Sequence, residues 1–110
     1  MTSKCTQKLT TWQERVWEAV RAVPPGFVTT YKEVAGFAGS SGSARAVGHL
    51  LAKNSKLVII PCHRVVKSSG EVGGYARGKE EKKRLLRKEG VKFVSDNKVD
   101  LEECFFNLIA

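Results

Sequence analysis

The chain is poor in the residues that build metal and disulfide frameworks. It has two histidines, His49 and His63, and three cysteines, Cys5, Cys62 and Cys104. The cysteine count is odd and no pair is spaced CxxC, so neither a disulfide framework nor a zinc site is suggested. At least one thiol then needs another explanation, as a small buried hydrophobe or as a reactive group. No apolar run approaches the roughly 20 residues that span a bilayer. The opening MTSKCTQKLT lacks the apolar core of a signal peptide. These absences predict a protein of a reducing, intracellular compartment rather than a secreted one.

Acidic residues are scarce too. Eleven Asp and Glu face nineteen Lys and Arg, leaving a net charge of +8. A basic surface on a small protein favours a polyanion, most often nucleic acid, although charge alone fits a basic protein without such a partner equally well. A length of 110 residues predicts one domain over residues 1–110, with no room for a large cofactor domain beside a substrate domain. Hydrophobic residues at 42% and charged residues at 27% are ordinary for a globular chain.

Thr11-Trp12-Gln13-Glu14 reads as a capping box, and the apolar positions Trp12, Val16, Ala19, Val20 and Val23 form one face of the helix it opens. Pro24, Pro25 and Gly26 end that helix. Thr30-Tyr31-Lys32-Glu33 is a second capping box, starting a short helix through Phe37. Gly39 to Gly42 makes a turn, and Ser43 caps a third helix, Ala44 to Lys53. Two short helices joined by such a turn outline a helix-turn-helix, although many small helical hairpins share that outline. The third helix begins with small residues and a single long side chain, Arg45. That suits tight packing on another helix or close approach to nucleic acid, and the basic composition favours the second.

Leu57-Val58-Ile59-Ile60 reads as a buried strand stopped by Pro61. Val65 and Val66 resume extended structure. Lys79 to Glu89 reads as a charged helix, buried through Leu85 and Leu86, with a mostly solvated face and Gly90 after its end. Residues 91–94 and 99–101, around a turn at Asp96-Asn97, predict a hairpin. The apolar tail CFFNLIA should pack back on the body. The expected class is mainly α with small β elements, a helix-turn-helix with a wing-like hairpin.

The unusual stretch is Pro61-Cys62-His63-Arg64. A free thiol titrates near pH 8.5, and a nearby imidazole can take its proton or stabilise the anion. Neighbours in an extended segment point to opposite faces, so a direct Cys62–His63 contact needs a turn after Pro61; otherwise a water must bridge them. A carboxylate orients an imidazole best, and the residues alone do not choose among eleven. A buried, inert Cys-His pair is the plain alternative.

The blocks TTYKEVA, ARAVG, Asn54, PCHRVV, VGGY and LLRKEG occur in order between about Trp12 and Gly90. In this the chain resembles the C-terminal domain of the O6-alkylguanine-DNA alkyltransferases, the methylated-DNA–protein-cysteine methyltransferases. The resemblance implies a winged helix-turn-helix DNA-binding domain that needs no cofactor or metal. It implies irreversible, single-turnover transfer of a methyl or alkyl group from guanine O6 in DNA to Cys62. His63 would activate the thiol through a water and Glu89 would orient His63. Asn54 would brace the helix-turn-helix against the active-site strand. Arg45 would fill the stack vacated by a flipped base, with the third helix in the minor groove of the duplex. Tyr31 would help rotate the target phosphate and hydrogen-bond the base, Tyr75 would pack on it beside Ala76, and Val65 would offer it a backbone carbonyl. The protein would act as a monomer, wherever the cell keeps its DNA.

The chain departs from that pattern in three ways. The N-terminal domain that many members carry is not seen. Arg77 follows Ala76 where a glycine pair is usual, which would narrow the pocket or add a phosphate contact. The segment after Gly90 matches no block. A kindred group, the alkyltransferase-like proteins, is about this short; its members flip the lesion and signal to nucleotide excision repair proteins without transfer, and usually replace the cysteine. Cys62 therefore favours the transferase. A winged-helix regulator with an inert thiol and a cysteine protease are more distant alternatives, and the chain shows no motif for the oxyanion hole or peptide groove of a protease.

Overall fold

A computed structural model describes residues 11–39, 43–53 and 61–108. Asn54, the strand expected over 57–60, Cys5 and residues 40–42 of the Gly/Ser turn lie outside the described residues.

The first three helices follow their caps. Helix α1, Trp12–Ala22, begins at Thr11, which exchanges hydrogen bonds with Glu14 at 3.1 Å in both directions. Helix α2, Tyr31–Ala38, begins at Thr30, whose hydroxyl accepts from the Glu33 N–H at 3.0 Å. Helix α3, Ala44–Ala52, begins at Ser43. Helix α2 packs against both α1 and α3, and Arg15 Nε of α1 donates to the carbonyl of Ala38 at the end of α2, 2.6 Å away. Val16, Ala19 and Val20 of α1 meet Val34, Ala35 and Ala38 of α2 and Val47 and Leu51 of α3 in one buried cluster. The apolar face read from the sequence for α1 supplies Val16, Ala19 and Val20 to this cluster, with Trp12 packed against it.

The second half of the molecule is held by very little sheet. Strand β1, Thr29–Thr30, pairs in parallel with β2, Val65–Val66. A single 3-10 turn, Cys62–Arg64, precedes β2 directly. Helix α4, Lys79–Lys88, ends at Glu89, and Gly90 follows in the left-handed region, φ +92°. Strands β3, Phe93–Ser95, and β4, Lys98–Val99, form the antiparallel wing. Val28, Val66, Val72, Leu86, Val91, Val99 and Cys104 make a second buried cluster between α4, the wing and the tail. The fold is mainly helical with few strands, as the sequence predicts.

One expectation needs correction. The second strand of the hairpin stops at Val99, because Asp100 caps a short helix α5, Leu101–Cys104, its carboxylate accepting from the N–H groups of Glu102 and Glu103. The charges of α4 are mostly solvated, as Lys79, Glu80, Arg84, Arg87 and Lys88 are exposed, but Lys82 at 0% and Lys83 at 3% exposure turn inward. The tail does pack back. Val28 N–H donates to Cys104, Phe106 N–H donates to Val28, and the Leu108 N–H donates to the Glu33 carboxylate at 2.8 Å. Among the described residues, no helix is long and apolar enough to cross a membrane.

Candidate active site

Proline sets the site. Pro61 is followed by the tight turn that a Cys-His contact would need, and the turn buries both side chains, Cys62 at 4% and His63 at 6% exposure. Cys62 belongs to the helix-turn-helix cluster, yet it also lines a cavity of about 370 Å³. Tyr31 from the first turn of α2, Gly48, Leu51 and Ala52 from α3, and Gly74, Tyr75 and Ala76 from the loop before α4 complete the walls. The fold thus gathers four of the residues singled out in the sequence, Tyr31, Cys62, Tyr75 and Ala76, around one space. Gly73 lets the loop come this near. Its φ is +74°, and a Cβ there would stand 3.2 Å from the Tyr31 hydroxyl.

His63 and Glu89 meet across the chain, Nε2 to Oε2 at 3.0 Å. A carboxylate only accepts, so Nε2 carries the hydrogen and Nδ1 has the lone pair. Nδ1 is buried and has no hydrogen-bond partner among the described residues. Burial holds His63 below its ordinary pKa, outweighing the opposing hydrogen bond and charge of Glu89. Neutral imidazole is therefore the form present at neutral pH. Burial by itself would raise the Glu89 carboxyl, but the hydrogen bonds from Arg64 and then His63, with their charges, bring it below the usual carboxylate value.

Arg64 has a structural duty. Its Nε and Nη2 grip both oxygens of Glu89 at 3.0 and 2.7 Å, and Nη1 donates to the carbonyl of Val23 at 2.8 Å. This fork ties the end of α4 and the residue after α1 to the Cys62–Arg64 turn, and it fixes the carboxylate that His63 meets.

Lys82 is the residue that the sequence reading missed. Its ammonium reaches the carbonyl of Val65 at 2.6 Å, the carbonyl of Gly74 at 3.1 Å and the Tyr31 hydroxyl at 3.3 Å. Burial pushes its pKa down to about 7, against the raising influence of Cys62. Tyr31 is pushed up to about 12, first by burial and then by Cys62, and Tyr75 is raised by the same causes in the same order. A signal existed: Lys82 lies four residues before Leu86 and seven before Glu89, on the inward stripe of its helix. The Val65 carbonyl, expected to face a base, already accepts from Lys82 and keeps one further lone pair.

Arg45 stands apart from Cys62. It is exposed on α3 and lines a separate cavity with Gly48, His49 and Ala52; Gly48 and Ala52 are common to both cavities. Arg77 does not narrow the cavity that holds Cys62; it lines a neighbouring one. Among the described residues, no group of three or more His, Cys, Asp and Glu side chains gathers to hold a metal ion.

The chain is similar to known proteins. Residues 11–91 match the family model described as 6-O-methylguanine DNA methyltransferase, DNA binding domain. A methylated-DNA–protein-cysteine methyltransferase of Methanothermobacter thermautotrophicus is 48% identical over 82 residues, which cover 74% of this chain and 46% of that protein. The chain thus spans about half the length of the curated relatives it matches. A crystal structure of Mycobacterium tuberculosis OGT in complex with DNA superposes with a TM-score of 0.68 at 42% identity, covering 73% of this chain and 49% of that one. S. pombe Atl1, crystallised with damaged DNA containing O6-carboxymethylguanine, superposes with a TM-score of 0.78 at 29% identity, covering 87% of this chain and 94% of that one.

Proposed function

Because the chain belongs to the 6-O-methylguanine DNA methyltransferase family, through its DNA-binding domain, we propose that it repairs O6-alkylguanine in DNA by taking the alkyl group onto Cys62, once per molecule. The observation that carries this reading is a thiol on the wall of a base-sized cavity, followed directly by an imidazole anchored to a carboxylate.

The Cys62 proton passes through a water to Nδ1 of His63, the buried nitrogen with the free lone pair. Glu89 holds the ring and stabilises the imidazolium that forms. Sγ then attacks the alkyl carbon. The S–C bond forms as the C–O6 bond breaks, the electron pair stays on the guanine, which takes a proton, and Cys62 keeps the group as a thioether. Tyr31, held by Lys82, points its hydroxyl at the base, and Tyr75 and Ala76 pack on it. The Val65 carbonyl uses its second lone pair, and Asn54 braces the helices.

The target O6 lies inside the duplex, so the nucleotide must turn out of the stack, at a cost of a few kcal/mol. Arg45, exposed on a helix start otherwise made of small residues, enters the space left behind from the minor groove. The +8 net charge supplies the attraction to phosphates. A monomer suffices, since every proposed role falls on one chain.

The superposition over 94% of S. pombe Atl1 favours a second reading, recognition of the lesion without transfer and a signal to nucleotide excision repair proteins. Intact-protein mass after mixing with a duplex containing O6-methylguanine separates the two. Transfer predicts a stoichiometric gain of one methyl group on Cys62 and none in Cys62→Ala, which still binds the lesion. Methyl gain in Cys62→Ala would overturn the nucleophile assignment, and tight binding with no gain in the unaltered protein would select recognition.

A further inference from the structure

Beside the Cys62 cavity lies a second one of about 350 Å³. Tyr75 is common to both, and chain neighbours line them in pairs: Cys62 faces the first and His63 the second, Ala76 the first and Arg77 the second. Three guanidiniums, of Arg64, Arg77 and Arg84, and two carboxylates, of Glu81 and Glu89, line the second cavity. Four of these five groups are committed to one another. Arg64 grips Glu89 at 3.0 and 2.7 Å, and Arg84 grips Glu81 at 2.9 and 2.7 Å. Arg77 has no hydrogen bond or ion pair among the described residues. Its charge is nevertheless felt at Tyr75, where it opposes the rise that burial causes, and at Glu81, where it adds to the lowering led by the Arg84 hydrogen bond.

We propose that Arg77 makes the second cavity an oxyanion subsite, which admits O6 substituents that end in a carboxylate. The inference rests on Cys62 as the alkyl acceptor. A carboxymethyl group attached to O6 brings a negative charge close to the reacting thiolate and to Glu89, and burying it unpaired there is costly. Past Tyr75 lies Arg77, which, among the described residues, has no hydrogen bond or ion pair to a carboxylate. The chemistry is otherwise that of methyl transfer. Sγ displaces O6 from the methylene carbon, the electron pair stays on the guanine, which takes a proton, and Cys62 keeps the carboxymethyl group as a thioether. A DNA phosphate is the other source of an oxyanion. Arg77 lines a different cavity from Arg45, with no lining residue in common.

The test compares the unaltered protein, Arg77→Ala and Arg77→Lys on duplexes containing O6-methylguanine or O6-carboxymethylguanine. It reads both affinity and the single-turnover rate of mass gain. Arg77→Ala should slow carboxymethyl transfer and weaken binding of that duplex about tenfold, the effect of one charge-assisted hydrogen bond. Methyl transfer should change by less than about twofold, and Arg77→Lys should keep most of the carboxymethyl rate. Equal loss on both duplexes would identify a phosphate contact and overturn the subsite, as would no loss on either. If the unaltered protein takes no methyl group, the acceptor reading fails by itself, and the ratio of affinities for the two duplexes still decides the role of Arg77.

Discussion

Lys82 and Lys83 are neighbours on α4, both buried, and they serve opposite ends of the molecule. Lys82 turns toward Tyr31 and the carbonyls of Val65 and Gly74, all neutral acceptors. Lys83 turns toward the wing, where it meets Asp96 at 3.1 Å, Asn97 at 3.0 Å and, on its own helix, Glu80 at 3.4 Å. One lysine sets a buried amine, its pKa lowered to about 7, beside Tyr31 with no carboxylate partner among the described residues. The other spends its charge on two carboxylates and pins the hairpin. A helix turn of about 100° per residue is enough to separate a functional cation from a structural one.

Breaking the two lysines separately should give the largest contrast. Lys82→Met should lower single-turnover methyl transfer roughly a hundredfold, since it frees the Tyr31 hydroxyl and leaves the Val65 and Gly74 carbonyls without their donor. Lys83→Met should leave transfer within about twofold and lower Tm by roughly 5 °C, the scale of one lost interaction in a chain this size. If both variants lose transfer alike, the division of labour between the two is wrong.

Glu89, about two turns beyond Lys82, sharpens the comparison. Glu89→Gln should slow Cys62 alkylation roughly tenfold at neutral pH by weakening the hold on His63. It should also change the response to acid. The folded-state carboxyl lies below its ordinary value of 4.5, so its contribution to stability is complete above that pH and is lost as pH falls through the folded-state value. Denaturation midpoints of the two proteins should therefore converge in acid. A constant difference across pH would remove the carboxylate charge from the account.

A last contrast is the pH slope of Lys82 itself. Its folded-state pKa of about 7 lies below the ordinary 10.5, so the unfolded chain binds more protons between these values. Stability of the unaltered protein, relative to Lys82→Met, should therefore rise with pH across that window, by at most about 1.4 kcal/mol per unit. An absent slope in urea titrations would mean that the three acceptors keep the amine charged throughout.

Much of the scaffold is legible in local chemistry. Thr11, Thr30 and Ser43 start their helices because each offers an oxygen to an otherwise unsatisfied N–H, and Gly90 follows α4 because glycine accepts the left-handed conformation there without strain. The hairpin was misread at Leu101 because Asp100, a turn residue by composition, is also a good N-cap. The site was legible only in part. Cys62 and His63 announce themselves by adjacency, whereas Glu89 is one of eleven carboxylates and entered through the family resemblance. Lys82 was lost in a run of charges, KEEKKRLLRKE, where composition speaks for solvent and only the period points inward.

The sequence by itself determined the helix starts and ends, the apolar face of the first helix, and the proline that bends the chain at Cys62. Those are local matters of dihedral freedom, capping and periodicity, decided within a few residues. Only the tertiary structure decided that Glu89 stands 3.0 Å from His63 across 26 residues, that Arg64 holds its other oxygen, and that a lysine lies buried against Tyr31 across 51. Contacts at such separations depend on how the clusters pack, and the low dielectric they create gives those charges their effect.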